Sequence, residues 1–135
     1  MIVVIDCNIV VAAGTKDGFV RHVVRGIIDR HEIIITGDII AEYERVAEYP
    51  KFGAAASAYM KSTIGQIEGC ARLIEPRASG LELPDADDVA YVDAAVSGGA
   101  DFVITGNLKH FPERQYGSAR VVSVREFAEL AGLLP

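Results

Sequence analysis

Met1-Ile2-Val3-Val4-Ile5-Asp6-Cys7-Asn8-Ile9 opens the chain with five apolar residues and then, with no spacer, an aspartate. An apolar run of that length suits a strand buried on both faces, and it is too short for a secretory leader or a membrane span. An acid at its end belongs at the rim of a sheet. Working outward, the same alternation recurs. Residues 33–36, 71–74, 102–105 and 121–122 read as further strands. Phe19–Arg30 reads as a helix, with Val20, Val23, Val24, Ile27 and Ile28 on one stripe. Residues 37–49 form a helix stopped by Pro50, and residues 54–69, part of 84–98 and 125–133 form others. Ser123 followed three residues on by Glu126 is a capping box for the last of these. The pattern predicts an α/β three-layer sandwich, with a central, mainly parallel sheet of four to five strands flanked by helices, as one domain over residues 1–135. Ligands of such sheets bind beyond the carboxyl ends of the strands.

Three acids are expected at that rim. Asp6 ends the first strand. Glu42 lies early in the helix after the second strand, on a face with Ile39, Val46 and Tyr49. Asp88 opens a helix, with Val92 and Ala95 beneath it. Asn107 follows the strand at 102–105 and joins them, together with Thr105 and Asn8. Each has a plainer reading. Asp6 and Asn8 suit a turn and a helix cap, and the Asp85-Ala86-Asp87-Asp88 run suits an N-cap followed by acids that favour the helix dipole. Asp87 is the nearest alternative to Asp88. His110 reads as a loop histidine, and Cys7 as a buried, inert thiol. The case for a site is that carboxylates against apolar surface are costly without a partner charge, and no basic residues are evident to pair with all three. Two carboxylates about 4 Å apart repel by roughly 4 kcal/mol at an effective dielectric near 20. A hard divalent cation with oxygen ligands removes that cost.

The formal net charge of −6 argues against a polyanion partner, except that acids clustered around a metal account for part of it. The basic residues group at Lys16, Arg21, His22 and Arg25 and at Lys109, His110 and Arg114. Two cysteines, Cys7 and Cys70, make no disulfide framework; with no leader they imply a reducing, cytoplasmic setting and no membrane partner. No phosphate-binding loop, dinucleotide fingerprint or zinc spacing is present.

The order and spacing of these pieces resemble the PIN-domain nucleases, and among them the VapC-like toxins of toxin–antitoxin pairs. The matching stretches are Val3-Val4-Ile5-Asp6-Cys7-Asn8-Ile9, Ile39-Ile40-Ala41-Glu42-Tyr43-Glu44-Arg45-Val46, Leu83-Pro84-Asp85-Ala86-Asp87-Asp88, Gly99-Ala100-Asp101-Phe102-Val103-Ile104-Thr105-Gly106-Asn107 and Val121-Val122-Ser123-Val124-Arg125-Glu126-Phe127. The resemblance implies a Mg²⁺- or Mn²⁺-dependent endoribonuclease whose first, second and third acids fall on Asp6, Glu42 and Asp88. It implies as partners an RNA substrate, an antitoxin protein and a second copy of the chain. Two departures stand out: Asn107 occupies the place of a fourth acid, and Cys7 that of a Thr or Ser. An Asn keeps an oxygen donor but loses a charge, so a non-catalytic module that binds RNA or a partner chain is the alternative. A receiver-like signalling domain would need a second acid beside Asp6, which is missing.

Overall fold

Val3, Val4 and Ile5 are all fully buried, so strand β1 (Ile2–Ile5) is covered on both faces. The computed structural model describes residues 1–134. Six strands form one sheet in the order β3-β2-β1-β4-β6-β5. They are β1, β2 (Glu32–Ile35), β3 (Arg72–Leu73), β4 (Phe102–Ile104), β5 (Gln115–Tyr116) and β6 (Ala119–Val122). All neighbours run parallel except β5, which turns back antiparallel on β6. The register places Val3 beside Ile33 and Phe102, and Ile104 beside Val122. The sheet therefore has six strands where four to five were expected. The extra one, β5, is two residues long, too short to show a period, and Gly117 closes its turn at φ 58°.

Helices α2 (Phe19–Arg30), α3 (Gly37–Ala47), α4 (Gly53–Cys70) and α6 (Val124–Ala131) fall close to their expected positions. Helix α1 (Cys7–Thr15) was not anticipated: Cys7-Asn8-Ile9-Val10-Val11-Ala12-Ala13 is too apolar to show a stripe, and Ile9, Val10 and Ala13 are all buried. Its close approach to α4 requires Gly14, where a Cβ would meet Met60 Cγ at 2.3 Å. The segment before α5 (Val89–Gly98) also differs from expectation. Asp85 accepts a hydrogen bond from the Asp87 N–H and starts one 3₁₀ turn, Ala86–Asp88, so Asp88 precedes the α-helix. Gly99, at φ 67°, ends α5 in the left-handed region. Ser123 and Glu126 form the expected capping box on α6.

One continuous apolar core runs through the sheet and helices, with Tyr43, Tyr91, Phe111 and Phe127 its largest fully buried side chains. The strand order fixes where a site can form. From β1 the chain builds β2 and β3 to one side and β4, β6 and β5 to the other. The carboxyl ends of β1 and β4 therefore flank a topological switch point, where a crevice opens. Among the described residues no helix is long and apolar enough to cross a membrane.

Candidate functional site

Asp6 stands at the end of β1, its N–H still in the ladder to the Ile104 carbonyl at 2.9 Å. It is buried, and its Oδ2 accepts a 2.7 Å hydrogen bond from the Thr105 hydroxyl across the switch point. Thr105 Oγ1 in turn accepts from the Asn107 N–H at 3.0 Å, and Asn8 Oδ1 accepts from the Gly106 N–H at 3.1 Å. The β1 and β4 ends are thereby laced together by the residues the sequence singled out. Burial holds the Asp6 carboxyl above the ordinary carboxylate range; hydrogen bonds from Thr105, Asn8 and Cys7 oppose this, and the charge of Glu42 adds to it. Among the described residues no cation pairs with Asp6.

Glu42 projects from the second turn of α3 and is half-buried. Its Oε1 accepts a hydrogen bond from the Tyr91 hydroxyl, whose oxygen accepts from the Cys7 N–H at 3.3 Å. Its Oε2 lies 3.8 Å from Arg45 on the same helix. Arg45, one turn from Glu42, serves this acid alone; no Lys or Arg among the described residues pairs with Asp6 or Asp88. Tyr91 was missed. It lies three residues after Asp88, hence on the same helical face, which was the available signal. Burial raises the Tyr91 phenol above its ordinary range, so it stays a proton donor to Glu42.

Asp88 is the buried member of its acidic run, while Asp85 and Asp87 are exposed. Burial first, and the Asp6 charge second, push its carboxyl up to about 6, with His110 pulling the other way. His110, read from sequence as a bystander, faces the site: its Nδ1 is 2.7 Å from Asp88 Oδ2 and its Nε2 is 2.9 Å from Asn107 Nδ2. The contact with Asp88 is close but off the ring N–H axis, so Oδ2 remains a buried oxygen with no aligned donor. The Cys7 thiol, buried beside Glu42 and Asp6, is pushed up to about 12 and is no nucleophile.

A single cavity of about 290 Å³ is lined by Asp6, Glu42, Asp88, Asp85, Asp87 and His110 among others. The three predicted acids thus share one pocket. The tightest group of potential ligand atoms within it is a different trio: Asp85, Asp88 and His110, all within 4.8 Å of one another. The residues fit a divalent cation: Arg45, also on the lining, pairs with Glu42 alone, which leaves Asp6 and Asp88, with an orphaned buried oxygen and an imidazole nitrogen beside it, without a Lys or Arg partner among the described residues.

A second, wider cavity of about 930 Å³ adjoins the first and shares Asn8 with it. Thr105, Asn107, Phe19, Lys109, Arg114 and Arg125 are among the residues that line it. The other basic group behaves differently: Arg21 is spent on the Ala13 and Gly14 carbonyls and on the Tyr59 ring, 3.6 Å from its guanidinium.

Comparison with known proteins bears on the family and the fold. A family model described as "PIN domain" matches residues 2–109. Among solved structures, VapBC2 from Rickettsia felis, bound to a DNA fragment from its promoter, aligns at TM-score 0.61 and 16% identity, over 91% of this chain and 98% of that one. VapBC-1 from nontypeable Haemophilus influenzae aligns at TM-score 0.60 and 15% identity, over 93% of this chain and 99% of that one. At such identities the likeness is one of fold. No curated protein matches the sequence.

Proposed function

We propose, from the premise that this chain belongs to the PIN-domain family, that it is a divalent-metal-dependent endoribonuclease and the toxin of a toxin–antitoxin pair. The observation that carries this reading is the convergence of Asp6, Glu42 and Asp88 on one pocket at the switch point, where Asp88 Oδ2 is buried without an aligned donor. Mg²⁺ or Mn²⁺ would be held by these carboxylates. When bound, the cation would act as a Lewis acid on the scissile phosphate and make water nucleophilic near neutral pH.

The chain's own groups supply the positioning. Thr105 fixes Asp6 Oδ2 at the lining of the pocket. Tyr91 and Arg45 hold Glu42 so that it can orient a water for in-line attack. Asn107 stands at the boundary between the acid pocket and the wide groove, where it can direct a phosphate oxygen. The groove supports RNA as substrate. Its three cations offer phosphate contacts beside an otherwise acidic protein, and Phe19 offers a stacking surface with Arg125 5.9 Å from its ring. Among the described residues Lys109 and Arg114 make no ion pair. Arg114 also sits at φ 60°, a left-handed conformation that costs a non-glycine residue about 1 kcal/mol, and retention of such strain is typical of ligand-facing positions. An antitoxin partner, a homodimer and a cytoplasmic setting belong to the same proposal.

The test is cleavage of end-labelled single-stranded RNA by purified protein, with Mn²⁺, with Mg²⁺ and with excess chelator. Cleavage that needs metal and leaves 5′-phosphate ends is the expected result; equal cutting in chelator overturns it. Tight RNA binding without turnover at millimolar Mn²⁺ would instead favour the non-catalytic module, which Asn107 at the place of a fourth acid makes the second reading.

A further inference from the structure

We infer that the metal site of this chain includes a nitrogen ligand: His110 Nδ1 joins Asp88 and Asp85 around one ion, and the site therefore selects Mn²⁺ and later first-row cations over Mg²⁺. This rests on the nuclease reading for an ion at Asp88 and goes beyond the all-carboxylate site assumed there. Geometry is the first argument. Ligand atoms on one six-coordinate ion, with bonds of about 2.1–2.2 Å, lie about 3 Å apart when adjacent and about 4.3 Å apart when opposite. Atoms of Asp85, Asp88 and His110 already lie within 4.8 Å of one another, so small side-chain adjustments bring all three to such spacing.

The second argument is what each atom lacks. Asp88 is only 7% exposed, yet its Oδ2 has no aligned donor. The His110 nitrogen 2.7 Å away does not aim its N–H at that oxygen. Two potential ligand atoms side by side, with no aligned hydrogen bond between them, are placed as neighbouring ligands of one ion are. Asp6 and Glu42 have partners already, Thr105 for the one and Tyr91 with Arg45 for the other, so the acid oxygen most in need of an ion is that of Asp88. Asp85 spends Oδ1 on the Asp87 N–H and keeps Oδ2.

Asn107 completes the arrangement. Its amide meets His110 Nε2 at 2.9 Å, and a half-turn of the amide exchanges Nδ2 for Oδ1 with no change of shape. In that orientation Oδ1 accepts from Nε2–H and fixes the tautomer whose Nδ1 lone pair is free, the role that outer partners play for metal-binding histidines. The residue in place of a fourth acid thus serves the ion through His110. Imidazole is a ligand of the first-row transition ions, least strongly for Mn²⁺ and more so for those after it, whereas Mg²⁺ takes oxygen ligands and keeps its waters.

The experiment measures Mn²⁺ and Mg²⁺ binding to RNA-free protein by titration calorimetry, with pulsed electron paramagnetic resonance of the Mn²⁺ complex. Wild type should bind Mn²⁺ at least about tenfold more tightly than Mg²⁺ and show nitrogen modulation from a directly bound imidazole. His110→Ala should lose the modulation and bring the two affinities within about threefold. His110→Gln, which keeps size and a polar head, should behave alike and guards against loss of fold in the alanine variant. Retention of modulation and preference in both variants overturns the inference, as does a wild type with no nitrogen signal. Should RNA be cut while His110 proves irrelevant to the ion, the inference fails and the nuclease reading stands. Should Mn²⁺ bind through His110 while no RNA is cut, the nuclease reading fails and the inference stands.

Discussion

The acid pocket and the basic groove beside it share a wall but are built on opposite principles. In the pocket the charged groups are buried and mutually repelling, and they are held by fixed neutral donors such as Thr105 and Tyr91. Across Asn8, the groove carries its charges on exposed side chains, two of them in no ion pair among the described residues. Burial makes the pocket's electrostatics strong and local, while the groove's are weaker, salt-screened and additive. A net charge of −6 therefore describes neither region.

The contrast can be broken most sharply at Asp6. Asp6→Asn should lower metal-dependent cleavage by about a hundredfold or more, beyond the effect of removing an outer-shell partner. It should leave metal-free stability in denaturant unchanged or higher, because a repelled buried charge is removed. A large loss of metal-free stability would recast Asp6 as a structural cap. Next in size is a pH effect. The Asp88 carboxyl is raised from an ordinary 3.8 to about 6 in the folded protein. A raised pKa favours the folded state while the group is protonated, so this contribution is full below pH 4 and is lost as pH rises through 6. Metal-free wild type, measured against Asp88→Asn, should lose about 2–3 kcal/mol between pH 4 and pH 7. Saturating Mn²⁺ should reverse that trend by holding the carboxylate form. A flat difference would mean that Asp88 is not under the strain its burial implies.

The groove should respond more gently. Lys109→Ala with Arg114→Ala should weaken RNA binding about tenfold and flatten its log–log salt dependence by about two, with Mn²⁺ affinity unchanged. If metal affinity falls in step, the two regions are not separate. Smallest is Arg114→Gly, which should raise stability by about 1 kcal/mol by relieving the left-handed backbone while still loosening RNA. Chemical denaturation and filter binding on one preparation would show whether the two effects part company.

How much of this was legible in the sequence follows from the same contrast. The apolar run into Asp6, the helix around Glu42 and the Phe102 strand each declared themselves locally, because periodicity and burial are properties of short stretches. The bringing together of Asp6, Glu42 and Asp88 followed once strands and helices were ordered. What escaped depends on side-chain direction between distant segments. His110 lies within the stretch Lys109-His110-Phe111-Pro112, whose composition is that of any loop. Only the 3₁₀ turn Leu108–His110 swings its ring onto Asp88. Arg45 was visible one turn from Glu42, while Tyr91, which no local pattern singles out, is core as well as a hydrogen-bond donor. Helix α1 hid because a helix buried nearly all round carries no amphipathic signature.

Strand β5 folds back on β6 at the margin of the sheet, and Arg114 sits just ahead of it, with Arg125 just past β6 at the start of α6. Both lie beyond the stretch matched to the family, whereas every acid of the pocket lies within it. Two of the groove's three cations are thus written in a separate passage of the polypeptide from the pocket's acids. A chimaera that exchanges the terminal hairpin and helix for another sequence would show whether the RNA choice of the proposed nuclease travels with that passage.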